Sequence, residues 1–549
     1  MTTTSPTTPR PRARTNVARR SPAAVWWRAY RHHLRLTRNA ALAWIAGLTA
    51  LSAGVAVTVE DRVGSEAERQ LLESMHDVPA FEALQGRMVE IGTMEGFTLA
   101  RWGMFGILLA VWAMLAAVSL LRRAEERGHV EPLRAGVLTP RRLLAAAIAA
   151  LWTWLAVLAL AIGASHGALG FDPPTAWALG GAAALLGASF AAAGALASQL
   201  AATRGSAVAL AGTLLGAALA VRVAAPATTT PDWLWWATPF GWMGFLHPSD
   251  ASQATVLLAL AALAAVLALA ALALGRRDLH AGLVGGEEAS APRARRVGGQ
   301  AGLALRVTAA AAGTWAIIVG VVTAAFGLLT HDLIDAMAGM ATMVELGREM
   351  FGMALDAPEG MVGATFFFVA VLLAAAAAGQ AAAIREEEAS WRIEHLLARP
   401  VGRTRWLVTR LLVSAAALLA IALAGGVVAW AATRLGGASV ALGDALLGAV
   451  NVVPVAWLTL GVGVAILGLA PRATAAATYG LVVAAFLLDF VGPFLELPDR
   501  VLDASPLRHV AAAPAADVDV AAALVMLAIG AAAALVGVAA FARRDLKEA

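Results

Sequence analysis

The chain has 549 residues, of which 60% are hydrophobic and 14% charged, and its mean hydropathy is +0.73. Soluble domains are about half apolar and about a quarter charged, so a soluble globular fold is excluded. The absence of cysteine excludes disulfides and thiolate metal sites as well. The single lysine, Lys547, has no glycine-rich turn before it, so the chain is not a P-loop ATPase by itself. The net charge of +4 comes from arginines beside apolar runs, which points to a membrane surface and not to nucleic acid.

The apolar residues form twelve blocks of roughly twenty, the length that crosses a hydrocarbon core about 30 Å thick. The expected fold is an all-α polytopic membrane protein with about twelve transmembrane helices. Residues 1–38 form a basic N-terminal segment, with Arg10, Arg12, Arg14, Arg19, Arg20, Arg28, Arg31, Arg35 and Arg38 and no acid before Glu60. Positive charge stays cytoplasmic, so the N-terminus is expected inside, and the basic stretch is too long for a cleaved signal peptide. Segment 60–98 carries nine acids against three arginines and is expected outside, with helix-like apolar spacing in LLESMHDVPAFEALQGRMVEIG. Segment 122–142 carries six arginines against three glutamates and is expected inside.

After the fifth block, PDWLWWATPFGWMGFLHP (231–248) concentrates Trp233, Trp235, Trp236, Pro239, Phe240 and Trp242. It reads either as a re-entrant hairpin gating the outer mouth or as an interfacial aromatic belt. The polar, Gly- and Arg-rich stretch 280–305 reads as a cytoplasmic linker between a first six-span half, 39–279, and a second, 306–549. Segment 330–360, with six acids against Arg348, is again expected outside. Arg222 and Asp489 sit near the outer ends of the fifth and eleventh blocks; they either pair with each other or each reach the outer headgroups. Both termini are expected in the cytoplasm of a bacterial cell whose plasma membrane the chain crosses.

A repeat organises these blocks. RRAEERGHVEPLRAGVLTPRRL (122–143) aligns without gaps to REEEASWRIEHLLARPVGRTRW (385–406), pairing Arg122 with Arg385, Glu125 with Glu388, Glu131 with Glu394 and Arg142 with Arg405. GRRDL (275–279) matches ARRDL (542–546), and TPF (238–240) matches SPL (505–507), which brings Pro506 opposite Pro239. Six spans per half means the same orientation for both, so a pseudo-two-fold along the membrane normal relates them, and a translocation path would most naturally lie between them. Early glutamates and late arginines suit a short helix dipole. The two charged blocks, with Glu126 and Glu387 beside the paired residues, therefore read as short cytoplasmic helices that dock a soluble partner.

The pattern EE…(V/I)E.L.A.P..R..W after a second span resembles the signature of ABC-2-type exporter permeases. The two-half layout is similar to actinobacterial polyketide and tetronasin-type antibiotic exporter permeases. The first copy departs from the pattern at Pro132 and Arg134. The resemblance implies that ATP and Mg bind a separate ABC ATPase subunit, two copies per chain, which engages coupling helices in the first inner loop of each half. It also implies re-entrant elements before the sixth span of each half, and membrane lipids as the other partner. This chain itself would hold no cofactor and carry out no catalysis. Its cargo would be a hydrophobic or amphipathic compound moving outward. An ion-coupled secondary transporter would need charged groups at mid-membrane, where Asp489 is the main candidate; a membrane scaffold or sensor partnered by an ATPase would share the docking features.

Overall fold

A computed structural model describes residues 22–62, 82, 85–87, 89–126, 139–226, 233–247, 252–275, 299–338, 356–389, 402–490 and 498–544. Among them, twelve helices are long and apolar enough to cross a membrane. They are α1 (Pro22–Arg62), α2 (Met94–Val118), α3 (Pro140–Ala168), α4 (Pro173–Leu200), α5 (Arg204–Ala224), α6 (Ser252–Leu274), α7 (Gly299–Ala338), α8 (Pro358–Ala389), α9 (Arg403–Leu435), α10 (Leu442–Leu469, interrupted at Val452), α11 (Thr474–Phe490) and α12 (Val520–Arg543). The chain is thus an all-α polytopic membrane protein, as its composition requires. In hydrocarbon only a helix satisfies its own backbone, so each apolar block has one solution.

Local signals set several ends. Pro140 opens α3 behind Thr139, whose side chain accepts from the Arg142 amide, and Asp519 caps α12 by accepting from Ala522 N. At the far end of α2 the helix widens into a π turn, Ser119–Arg123, before a last turn at Ala124–Glu126. Such a turn rotates the following side chains relative to a straight helix.

By internal contacts the chain divides into two compact units. The first comprises residues 1–53, 105–215 and 249–286; the second comprises 54–104, 216–248 and 287–549. In the first, α4 packs on α3 and α6 and is buried along most of its length, its buried residues being mostly Ala, Gly and Ser. Ser52 of α1 shares a 2.9 Å hydrogen bond with His166 of α3. In the second, α7 packs on α9, and α10 on α8 and α12, around a core that includes Val369, Leu373, Trp406 and Leu460. At the α10–α12 contact the backbones meet directly: a methyl group on Gly461 would collide with the carbonyl of Gly530, and one on Gly468 with that of Gly537. Apolar side chains gain nothing by leaving lipid for one another, so small residues that let backbones approach drive such contacts through dispersion.

Candidate functional site

The charged residues of the repeat sit where helix ends meet. In the first unit the π turn carries Arg122 inward. The side chain is 1% exposed and donates from Nε to the Ser198 carbonyl at 2.7 Å, and Nη1 donates to Glu125 Oε2 at 3.1 Å. Ser198 lies in the last turn of α4, where carbonyls lack a helical partner. Glu126 Oε1 accepts from the Arg204 amide at 2.6 Å, the first N–H of α5. Arg141 donates to the carbonyls of Leu272 (2.8 Å) and Ala273 (3.1 Å) in the last turn of α6. Cations therefore meet helix C-termini and a carboxylate meets an N-terminus, as the peptide dipoles favour.

The second unit repeats this chemistry more densely. Arg385 pairs with Glu388 at 3.2 Å, and Glu388 also takes a two-pronged ion pair from Arg544 at 2.6 and 2.8 Å. Arg544 further donates to the Leu467 carbonyl in the last turn of α10, and its guanidinium lies 5.0 Å from the Phe541 ring centre. Arg403, opening α9, donates to the Arg544 carbonyl just past α12. Three ties thus occur in both units. An Arg-x-x-Glu closes the second span of each half, an arginine holds the end of the fourth, and the first turn of the third holds the end of the sixth. A further pair belongs to the second unit only. Arg410 lies 2.8 Å from Glu387 and donates to Ala304 O and Thr308 Oγ1 of α7. The aligned positions in the first half are alanines, Ala147 and Ala124.

Of the residues read as part of the docking blocks, Arg122, Glu125, Arg385 and Glu388 are all buried and bonded within the chain. The reason is local: the Ser198 carbonyl at the end of α4 takes Arg122, and the Glu388 carboxylate takes Arg385. Glu126, Arg142 and Arg405 are exposed and Glu387 is half-buried. Glu131 and Glu394, with the segments 127–138 and 390–401 read as broken helices, lie outside the described residues. So does most of the 280–305 linker.

At the opposite ends of the spans, the tryptophan-rich stretch forms two short helices, Trp233–Trp236 and Pro239–Met243. Thr238 caps the second by accepting from Gly241 N, and Trp242 Nε1 donates to the Trp236 carbonyl at 2.7 Å. Trp236 stacks on Phe245 at 4.6 Å, and Arg87 lies over the other side chain of that pair, 4.7 Å from the Phe245 centre. Trp235 and Phe240 are buried, while Trp233 and Trp236 are exposed. The corresponding stretch of the second half has a four-residue helix, Asp499–Leu502, followed by turns in which Pro506 is half-buried.

Arg222 is buried and donates to the Gly103 carbonyl at 2.7 Å, packing against Gly86, whose φ of +94° suits glycine. Asp489 accepts from the Ser505 hydroxyl. Among the described contacts no ion pair joins Arg222 to Asp489. Sequence reasoning missed Arg410, Arg403 and Arg141 as anchors. The available signal was a cation in the first two turns of a span, facing back toward a neighbouring helix end.

Twelve apolar helices, with arginines and carboxylates bonded to helix ends within each unit, define a polytopic α-helical membrane protein with no exposed catalytic constellation among its described residues. The chain belongs to the family described as the multidrug efflux system permease Rv1217c, C-terminal domain, whose model matches residues 29–276 and 297–542. It is 28% identical over 475 residues to the multidrug efflux system permease protein Rv1217c of Mycobacterium tuberculosis (strain ATCC 25618 / H37Rv). That alignment covers 85% of each chain.

Proposed function

We propose that this chain is the membrane-spanning permease of an ATP-driven ABC exporter of the ABC-2 type, moving a hydrophobic or amphipathic compound out of the cell. The observation that carries this reading is the match to a multidrug efflux permease family along almost the whole chain. That one family model covers two stretches of similar length also supports reading the halves as a duplication. Lys547 follows no phosphate-binding turn, so ATP hydrolysis belongs to a separate subunit, two copies per chain, with one meeting each charged block. The network of buried ties supports a mechanical role. A force on segment 127–138 or 390–401 enters α2–α3 or α8–α9, and the arginine anchors join those helices to the ends of α4, α6, α10 and α12. In this reading Glu126, Arg142 and Arg405, being exposed, contact the ATPase, while Arg122, Glu125, Arg385 and Glu388 pass the motion on. The hairpin of Trp233, Trp235, Trp236 and Trp242 serves as the outer gate.

The test is purification of the tagged chain at low detergent from its native membrane, followed by identification of co-purifying proteins and assay of Mg-ATP hydrolysis. We expect a P-loop protein at about two copies per chain, and its loss from the Arg142→Glu/Arg405→Glu variant without loss of the folded permease. A folded chain that purifies alone, with flux in liposomes driven by a pH gradient, would show the ATP-driven reading to be wrong.

A further inference from the structure

The first turns of α1 carry a feature that export does not use. Residues 22–59 contain no Asp or Glu. Within them Arg28, Arg31, Arg35 and Arg38 are all exposed. At 3.6 residues per turn these four fall within about a quarter of the helix circumference. The opposite face is already occupied. Ala29 packs with Leu143 and Ala146 of α3, the Tyr30 hydroxyl bonds to Thr153 Oγ1 at 2.9 Å, and Trp154 Nε1 donates to Thr37 Oγ1 at 3.1 Å. His33 is buried on that same side. The arginine face is therefore held pointing away from α3. Arg31 and Arg35 have no ion pair among the described contacts.

Two apolar side chains flank the arginines. Trp27 is half exposed and stacks on Tyr30 at 5.0 Å between ring centres, and Leu36 is also exposed. Beyond Asn39 the helix continues as apolar sequence to Val57. Arginines alternating with an exposed tryptophan and leucine, immediately before an apolar span, match the chemistry of a headgroup layer. Indole rings settle there, and long cationic side chains reach anionic oxygens. A soluble acidic protein would complement the arginines but would leave Trp27 and Leu36 in water.

We infer that the face formed by Arg28, Arg31, Arg35 and Arg38 is a binding site for the anionic headgroups of inner-leaflet phospholipids. The surface potential of that leaflet draws juxtamembrane basic clusters to it, and guanidinium groups bind phosphate through paired N–H donors. Headgroups bound there brace the α1–α3 pair from the side that the protein leaves open.

The experiment uses the purified full-length chain in neutral detergent and measures its unfolding midpoint with added phosphatidylglycerol or phosphatidylcholine. We expect phosphatidylglycerol to raise the midpoint and phosphatidylcholine to leave it unchanged, with the rise shrinking at high salt as the headgroup charge is screened. The Arg31→Gln/Arg35→Gln variant should lose at least half of the rise, and Arg31→Lys/Arg35→Lys should keep most of it. If the glutamine variant does not fold, native mass spectrometry of the Arg35→Gln chain supplies the readout, as fewer retained phosphatidylglycerol molecules than in the unaltered chain. An equal response to both lipids overturns the site, as does a full rise or undiminished lipid retention in the glutamine variants. Retention of an acidic soluble protein through Arg31 and Arg35, without lipid preference, would assign the face to that partner instead.

Discussion

Glu388 holds two arginines at once, Arg385 and Arg544, and is itself nearly inaccessible to water. Removing its charge leaves two buried guanidinium groups short of a counterion, a change that in buried pairs costs about 3–5 kcal/mol. Glu126 is exposed and makes one bond to a helix N-terminus, which is worth about 1 kcal/mol. Glu388→Gln should therefore lower the thermal midpoint of the detergent-solubilised chain several-fold more than Glu126→Gln does. Equal shifts would show that the network around Arg544 is not a structural anchor. The same comparison separates roles in export. If Glu126 contacts a partner and Glu388 does not, Glu126→Arg should weaken ATPase co-purification while the folded chain is kept at only a small loss of stability.

Among the elements, α10 and α12 depend most visibly on small residues. Gly461 faces Gly530 and, seven residues on, Gly468 faces Gly537, so two turns of backbone lie in direct contact. A larger side chain at either site has nowhere to go without separating the helices, and overpacking of this kind costs about 1–3 kcal/mol. Gly468→Leu should lower the thermal midpoint, whereas Gly480→Leu on α11, where a Cβ meets nothing within 4 Å, should leave it nearly unchanged. Leucine favours a helix more than glycine does, so a similar loss for both would show that the α10–α12 contact is not what the substitution disturbs. The tryptophan hairpin shows the same economy in four or five residues per helix. One cap at Thr238, one glycine at 241 tucked under Trp235, and one indole bond from Trp242 make it a fixed shape.

At the scale of the whole molecule, charge alternation along the chain predicts which loops face which side. The chain has no native cysteine, so single cysteines test this directly. Asp172→Cys, in the exposed α3–α4 turn, should react with a membrane-impermeant maleimide in intact cells. Thr203→Cys, exposed before α5, should react only after permeabilisation. Reaction of both from outside, or of neither, would break the alternation. The number and type of spans were legible from composition, because a bilayer leaves an apolar block of about twenty residues one way to satisfy its backbone. The aligned motifs also marked where charge gathers: Arg122 and Glu125 lie at the end of α2, and Arg385 and Glu388 at the end of α8.

Sequence by itself thus determined the class of the protein, its twelve helices and the positions where charge gathers. Only the tertiary structure decided which of those charges are available. Arg122 and Arg385 share a spacing with their glutamates that reads equally well as an exposed face or a buried clasp; the π turn and the Ser198 carbonyl decide it for Arg122, and for Arg385 the partner is Glu388, which Arg544 also holds. Arg544, 156 residues from Glu388 in the chain, enters its ion pair only because α12 ends beside α8 and α10. Arg222 donates to the Gly103 carbonyl and Asp489 accepts from Ser505, partners that matched positions in the sequence do not name. Hydrophobicity is a local property that sums along the chain. The partner of a charge depends on which helix end stands within about 3 Å of it, and that distance is set by packing.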